Sequence, residues 1–214
     1  MKIPKHVTDY IEKYKSGNVI FNDERADLVS FLEDNILHRD DLYFDNQKIE
    51  DYIKFSEKWF FKLQDFQKFI SCFVFLYEND TKTPYFSEFF ISMARGGGKN
   101  GYISTLAAFF MTPLHGIPKY NMSVVANSEK QALVSFREIY EMIESNNLYI
   151  TGERPNNPFY LSKVYVEGTD TKSQFLFDTS NEKTKDGARE GCIFFDEVHA
   201  YEKDTIINIK RSGL

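Results

Sequence analysis

Apolar positions in the first 58 residues recur at the spacing of short amphipathic helices, as in VTDYIEKY and ADLVSFLEDNIL. From Trp59 onward the pattern changes, because WFFKLQDFQKFISCFVFLY is strongly aromatic and has the length of a helix mostly buried against a sheet. We therefore expect a helical N-terminal lead-in over residues 1–58 and a separate core over residues 59–214.

The core alternates strand-like with helix-like segments. Apolar and β-branched runs predict strands at YFSEFFISMA, NMSVVA, KVYVEG, SQFLFDTS and CIFFDE, and a hairpin is one arrangement of the third and fourth. NGYISTLAAFFM predicts a buried helix that ends before Pro113, and Ser128 with Gln131 predicts a capped start for the next helix. This alternation predicts an α/β fold with a mostly parallel sheet flanked by helices.

Composition and charge narrow the class of protein. A chain of 214 residues that is 42% hydrophobic can bury a core without disulfides or a structural metal. Cys72 and Cys192 lie in apolar runs without metal-ligand spacing, which is typical of buried thiols in a reducing cytosol. Neither a membrane-spanning run nor a signal-peptide core is present, and the net charge of −6 argues against a broadly basic nucleic-acid-coating surface.

A glycine-rich loop, ARGGGKN, lies between a predicted strand and a predicted helix. Gly96, Gly97 and Gly98 leave room for backbone N–H groups to surround phosphate oxygens. Lys99 follows them and can reach the β and γ phosphates of ATP. Glycines alone would indicate only a turn with an exposed lysine, but the strand before and the helix after favour a P-loop nucleotide site.

Two neighbours of this lysine are further candidates for the same site. Asn100 stands where a phosphate loop normally has Ser or Thr, and its amide oxygen is an acceptable ligand for Mg²⁺. Arg95 carries a permanently charged guanidinium that can contact the γ phosphate, while a solvated loop arginine is the alternative interpretation.

Two carboxylates, Asp196 and Glu197, end the last predicted strand. The carboxyl end of a parallel strand lies at the same sheet edge as a phosphate loop. Asp196 would therefore hold Mg²⁺, and Glu197 would orient and deprotonate the attacking water, unless the pair is an ordinary acidic loop. His199 completes DEVH and either senses the γ phosphate or caps a turn. Gln67 offers an amide that matches the adenine edge, although a polar residue on a helix flank is its simpler interpretation.

The order of these pieces resembles the large terminase subunit of tailed bacteriophages, the ATP-driven motor that packages DNA into a procapsid. The resemblance rests on FKLQDFQKFI, FFISMARGGGKNGYISTLAAFF, SVVANSEKQALVSFREIYEMI and DGAREGCIFFDEVHAYEK. It implies an ATPase that uses ATP and Mg²⁺, with Gln67 as an adenine contact. It also implies that Lys99 and Arg95 bind phosphate and that Glu197 is the catalytic carboxylate. Arg189 is a weaker candidate for an arginine finger.

The resemblance also implies partners and a location. These are viral double-stranded DNA, a small terminase subunit, a portal protein and further copies of the chain, in the host cytoplasm and without a membrane. Family members normally continue into a nuclease domain, whereas this sequence ends 17 residues after Glu197. We therefore expect a fragment or a split gene product without nuclease activity. A DExH helicase-like ATPase, or a fragment that binds nucleotide without turnover, remains an alternative.

Overall fold

A computed structural model describes residues 1–94, 96–147, 158–179, 190–198 and 201. The chain divides into two compact units, Met1–Met93 and Ala94–Leu214. The aromatic segment that follows Trp59 belongs to the first unit. The domain boundary expected between residues 58 and 59 remains a prediction.

The first unit is mainly helical, as the spacing of its apolar residues predicts. α1 buries Val7, Tyr10 and Ile11, which lie on one face at positions i, i+3 and i+4. The two short strands of this unit pair antiparallel. Its elements are α1 (Lys5–Lys15), α2 (Asp23–Asn35), β1 (Leu42–Phe44), α3 (Asn46–Trp59), α4 (Asp65–Val74) and β2 (Leu76–Glu78).

The aromatic run forms a shorter helix than its length predicts. Trp59 ends α3, and of the residues that follow it in the run only Asp65–Val74 are helical, because a capping box between Gln64 and Gln67 fixes the start of α4. Cys72 lies in this helix and is fully buried, as expected for a structural thiol. Burial raises the pKa of Cys72 to about 12.

The prediction of a strand at YFSEFFISMA is wrong. Residues 86–94 belong to no strand, and Phe90 is 85% exposed. The aromatic and β-branched content of this segment supplies strand propensity, but a strand forms only where a neighbour takes up its backbone N–H and C=O groups. Local pattern alone could not supply that information.

The described elements of the second unit are α5 (Lys99–Phe110), β3 (Met122–Ala126), α6 (Glu129–Ser145), β4 (Phe159–Leu161), β5 (Tyr165–Gly168), β6 (Gln174–Thr179) and β7 (Cys192–Phe195). The strands form a five-stranded sheet with the order β4-β5-β6-β3-β7. Strand β3 pairs in parallel with both β6 and β7, while β4 and β5 extend the sheet antiparallel. The expected α/β class is therefore confirmed, with the parallel strands β6, β3 and β7 on one side of the sheet and the antiparallel pair β4–β5 on the other.

Packing in this unit follows the predicted pattern closely. β3 is buried along its whole length, and α6 packs against β3 and β6. The side chain of Ser128 accepts a hydrogen bond from the backbone of Gln131, so the cap at the start of α6 is confirmed. Strands β5 and β6 form the hairpin that was one arrangement of their segments. Cys192 is half-buried in β7.

The parallel strands β3 and β7 determine where the acidic pair lies. Val125 of β3 lies opposite Phe195 of β7 in the last register position of their ladder. Because the strands are parallel, the residues that follow both of them emerge at the same edge of the sheet. Asp196 is the first residue beyond β7, so the acidic pair begins at this edge.

Candidate nucleotide site at the end of the parallel strands

The glycine loop before α5 is a tight turn that only glycine forms without strain. Gly96 and Gly98 have φ values of 79° and 82°, in the left-handed region. The N–H of Gly97 donates to the carbonyl of Ala94 at 3.0 Å, which closes the turn. Gly98 is the N-cap of α5, and its carbonyl accepts the first helical hydrogen bond from Tyr102. The positive φ values explain why glycine stands at positions 96 and 98, whereas Gly97 does not have a positive φ.

The start of α5 offers a positive end to an anion. The first N–H groups of a helix have no intrahelical partner, and the helix dipole adds partial positive charge there. The first turn of α5 contains no acidic residue that would neutralise it. Gly96, Gly97 and Gly98 are exposed, so a phosphate can approach the backbone of the loop.

The described residues that follow β7, Asp196, Glu197, Val198 and Tyr201, form what we call the acidic turn, and its backbone is unusual at Glu197. The N–H of Asp196 donates to the carbonyl of Val125 at 2.9 Å and continues the β3–β7 pairing by one residue. Asp196 is only 3% exposed. Glu197 has a φ of 54°, in the left-handed region, which costs a non-glycine residue about 1–2 kcal/mol. Such strain is typical of functional turns that the surrounding structure fixes.

Lys99 joins the glycine loop to the acidic turn. Its Nζ lies 2.7 Å from Asp196 Oδ1 and 2.9 Å from Glu197 Oε1. Burial of Lys99 lowers its pKa, but the contacts with the two carboxylates outweigh that effect, so the pKa is raised overall. The ammonium group therefore stays charged at neutral pH and compensates the nearly buried Asp196.

A metal ion that arrives with a nucleotide fits the donors present. Mg²⁺ is usually held by one or two carboxylates together with substrate phosphates and water. Among the described residues, no group of three or more His, Cys, Asp or Glu side chains could hold a metal by itself. Asp196, nearly buried and close to the glycine loop through Lys99, is a carboxylate of the required kind. Asn100 lies in the first turn of α5, and its part in metal binding remains a prediction.

The remaining predicted residues are Gln67, Arg95, Arg189 and His199. Gln67 lies in the first unit, 2% exposed, and its Oε1 accepts a hydrogen bond from the backbone N–H of Gln64 at 2.8 Å. Its contact with adenine remains a prediction. Arg95, Arg189 and His199 lie outside the described residues.

The sequence analysis assigned no role to Tyr201, which the structure attaches to the site. Its hydroxyl donates to the carbonyl of Val125 at 2.6 Å. The residue stands in the run DEVHAY, five positions beyond Asp196. A tyrosine close behind an acidic strand end was the available signal, but the sequence does not reveal that the chain turns back onto β3.

Comparisons with known proteins found one matching family and a similar solved structure. The family model described as "Terminase large subunit, ATPase domain" matches residues 65–214. The crystal structure of the HK97 bacteriophage large terminase is similar, with a TM-score of 0.62 and 19% sequence identity. That match covers 78% of this chain and 35% of the HK97 chain, and at this identity it shows the fold alone. No curated protein sequence matches the chain. None of the helices in the described residues is long and apolar enough to cross a membrane.

Proposed function

We propose a function that starts from one premise: the chain belongs to the family of terminase large subunit ATPase domains. Membership in this family implies an ATP hydrolase. We propose that the chain binds Mg·ATP at the loop Gly96–Lys99 and hydrolyses it with the acidic turn that follows β7. In the whole motor, this hydrolysis would drive viral double-stranded DNA into a procapsid.

One observation carries the proposal. Lys99 and the two carboxylates lie 97 and 98 positions apart in the sequence, yet Lys99 contacts both of them directly. A phosphate-binding lysine, a metal-binding carboxylate and a water-orienting carboxylate are the groups that phosphoryl transfer from ATP requires. The proposal is supported by the position of both carboxylates within hydrogen-bond distance of Lys99 Nζ.

The residues divide the chemistry between them. Lys99 and the backbone of the glycine loop would bind the β and γ phosphates, with Arg95 as a further phosphate contact. Glu197 would orient a water molecule and take its proton as the water oxygen attacks the γ phosphorus and the bond to the bridging oxygen breaks, releasing ADP and phosphate. Asp196 would hold Mg²⁺, with Asn100 as a second ligand. When bound, the ion neutralises charge on the phosphate oxygens.

The packaging role goes beyond the ATPase domain itself. The chain spans 35% of the length of the HK97 large terminase. We propose that it works in the host cytoplasm as part of an oligomer on viral double-stranded DNA, with a small terminase subunit and a portal protein as partners. Arg189 is a candidate for a residue that completes a neighbouring copy's site. We assign no nuclease activity to these residues. The family match favours this reading over a DExH helicase-like ATPase.

Nucleotide binding by a lysine variant tests the proposal. We expect Lys99→Ala to weaken binding of a fluorescent ATP analogue roughly 10-fold to 100-fold, because a charge-assisted contact with phosphate is lost. Lys163→Ala, which changes an exposed lysine between β4 and β5, is the matched control and should bind like the wild type. Equal affinity in all three proteins would contradict the site. Binding without phosphate release at any protein concentration would identify a domain that binds nucleotide without turnover.

A further inference from the structure

Two backbone features characterise the chain just after β7. Glu197 has a left-handed backbone, and the N–H of Tyr201 donates to the carbonyl of Val198 at 3.2 Å. Both features lie in the acidic turn. Its first and last residues both return to the end of β3.

A single carbonyl oxygen attaches both ends of the acidic turn. The carbonyl of Val125 accepts the N–H of Asp196 at 2.9 Å and the hydroxyl of Tyr201 at 2.6 Å. The ring of Tyr201 also packs edge-on against Phe195, with ring centroids 6.2 Å apart. Tyr201 therefore contacts both β3 and β7 at the point where their ladder ends.

The tyrosine hydroxyl is a dependable donor at this position. Burial first, and then the negative charge of Asp196, raises the pKa of Tyr201. The hydroxyl therefore keeps its proton through the neutral range and can donate to the carbonyl of Val125.

We propose that Tyr201 is a positioning residue that fixes Glu197 for its work on the attacking water. The inference rests on the proposed function, because it deepens the role of the same site. A non-glycine residue leaves the left-handed region readily unless its surroundings hold it there. The hydrogen bond from the Tyr201 hydroxyl to the Val125 carbonyl restrains the backbone of Glu197. In this role Tyr201 does not contact the nucleotide.

The need for this hold is greatest when nucleotide is bound. Lys99 contacts Glu197 at 2.9 Å in the structure, and this ion pair also restrains the carboxylate. In the proposed mechanism Lys99 binds phosphate, so its restraint on Glu197 weakens at the moment of hydrolysis. The hydrogen bond between Tyr201 and Val125 does not involve Lys99. We therefore expect it to persist both with and without bound nucleotide.

Phosphate release by single and double variants tests the positioning role. We expect Tyr201→Phe to lower kcat by roughly 5-fold to 30-fold while KM for ATP changes less than about 2-fold, because the lost contact acts on Glu197 rather than on nucleotide. Tyr160→Phe removes a hydroxyl from the exposed edge strand β4 and should keep the wild-type rate. In the Glu197→Gln background, Tyr201→Phe should cause no further loss. An equal loss in both backgrounds would overturn the proposal, because it would mean a general structural effect.

Amide hydrogen exchange tests the attachment without relying on turnover. In the nucleotide-free chain, we expect a peptide covering residues 196–198 to exchange at least about 5-fold faster in Tyr201→Phe than in wild type or Tyr160→Phe. Unchanged exchange would overturn the proposal even if the chain hydrolyses ATP. If the wild type binds ATP but releases no phosphate, the proposed hydrolysis fails, and the exchange result alone decides whether Tyr201 holds the acidic turn.

Discussion

The Nζ atom of Lys99 lies 2.7 Å from Oδ1 of Asp196, although 97 positions separate the two residues in the sequence. The contact unites the start of α5 with the end of β7. It also gives the nearly buried carboxylate of Asp196 a positive partner. A phosphate that binds Lys99 must therefore share that charge with Asp196 and Glu197.

Glu197→Gln separates binding from chemistry. We expect the variant to bind the ATP analogue like the wild type but to release phosphate about 100-fold more slowly or worse, because a positioned proton acceptor typically contributes that much. Phosphate release at saturating Mg·ATP is the measurement. Glu144→Gln, at an exposed position of α6, is the control. A Glu197→Gln protein that keeps the wild-type rate would return the acidic pair to an ordinary loop.

Asp196→Asn tests whether Asp196 is a ligand of Mg²⁺. The amide keeps the shape of the side chain but loses its charge, so we expect the Mg²⁺ concentration for half-maximal ATP binding to rise about 10-fold or more. Titration with Mg²⁺ at fixed analogue concentration, starting from protein treated with a chelator, measures this change. Asp170→Asn alters an exposed aspartate and should leave the titration unchanged. An unaltered Mg²⁺ requirement in Asp196→Asn would exclude this carboxylate as the ligand.

Gly97 and Gly98 should differ in how much stability the protein loses when each is replaced by alanine. Gly98 has a φ of 82°, so Gly98→Ala should lower the free energy of unfolding by about 1–2 kcal/mol. Gly97 does not share the positive φ, and Gly97→Ala should cost clearly less. Urea unfolding without nucleotide makes the comparison independent of phosphate binding. Equal destabilisation by the two substitutions would show that backbone conformation is not the reason for glycine at position 98.

Glu138 of α6 gives a pH-dependent prediction. Burial raises the pKa of Glu138 more than a hydrogen bond with Ser104 lowers it, and the neighbouring Glu141 raises it further. The folded-state pKa is therefore above the unfolded value, so the ionised side chain costs stability at neutral pH and this cost disappears as the pH falls. Glu138→Gln should stabilise the protein at pH 7 by on the order of 0.5 kcal/mol.

The pH series decides whether charge is the cause. The advantage of Glu138→Gln over wild type should shrink as the pH approaches 4.5, the ordinary pKa of glutamate. Urea unfolding at several pH values measures the difference, with Glu144→Gln as the exposed control. A constant difference at all pH values would point to packing instead of ionisation.

The sequence indicates those parts of the candidate site whose chemistry is local, and their roles remain predictions. Each motif can be found within a few residues of sequence. One is a run of glycines followed by a lysine at a helix start, and the other is a pair of carboxylates after a short apolar strand. The expectation that they meet at one sheet edge assumed a parallel strand before the glycine loop, and residues 86–94 form no strand. Lys99 nevertheless contacts both Asp196 and Glu197.

Features that depend on partners distant in the chain were not predictable in this way. The segment YFSEFFISMA has strand propensity, yet residues 86–94 form no strand, because propensity does not specify a neighbouring strand. The attachment of Tyr201 to Val125 spans 76 positions and depends on the direction in which the chain leaves Glu197. A left-handed residue other than glycine leaves no mark in the sequence that would reveal this direction.

The parallel pairing of β3 with β7 also bears on how the protein folds. Val125 and Phe195, the last partners in this ladder, are 70 positions apart, and such contacts form slowly because a long loop must close before they are made. The glycine loop and α5 are local structures that can form earlier. We therefore expect the ability to bind nucleotide to arise with the final association of β7, so that a refolding experiment would show helical structure well before the first bound ATP.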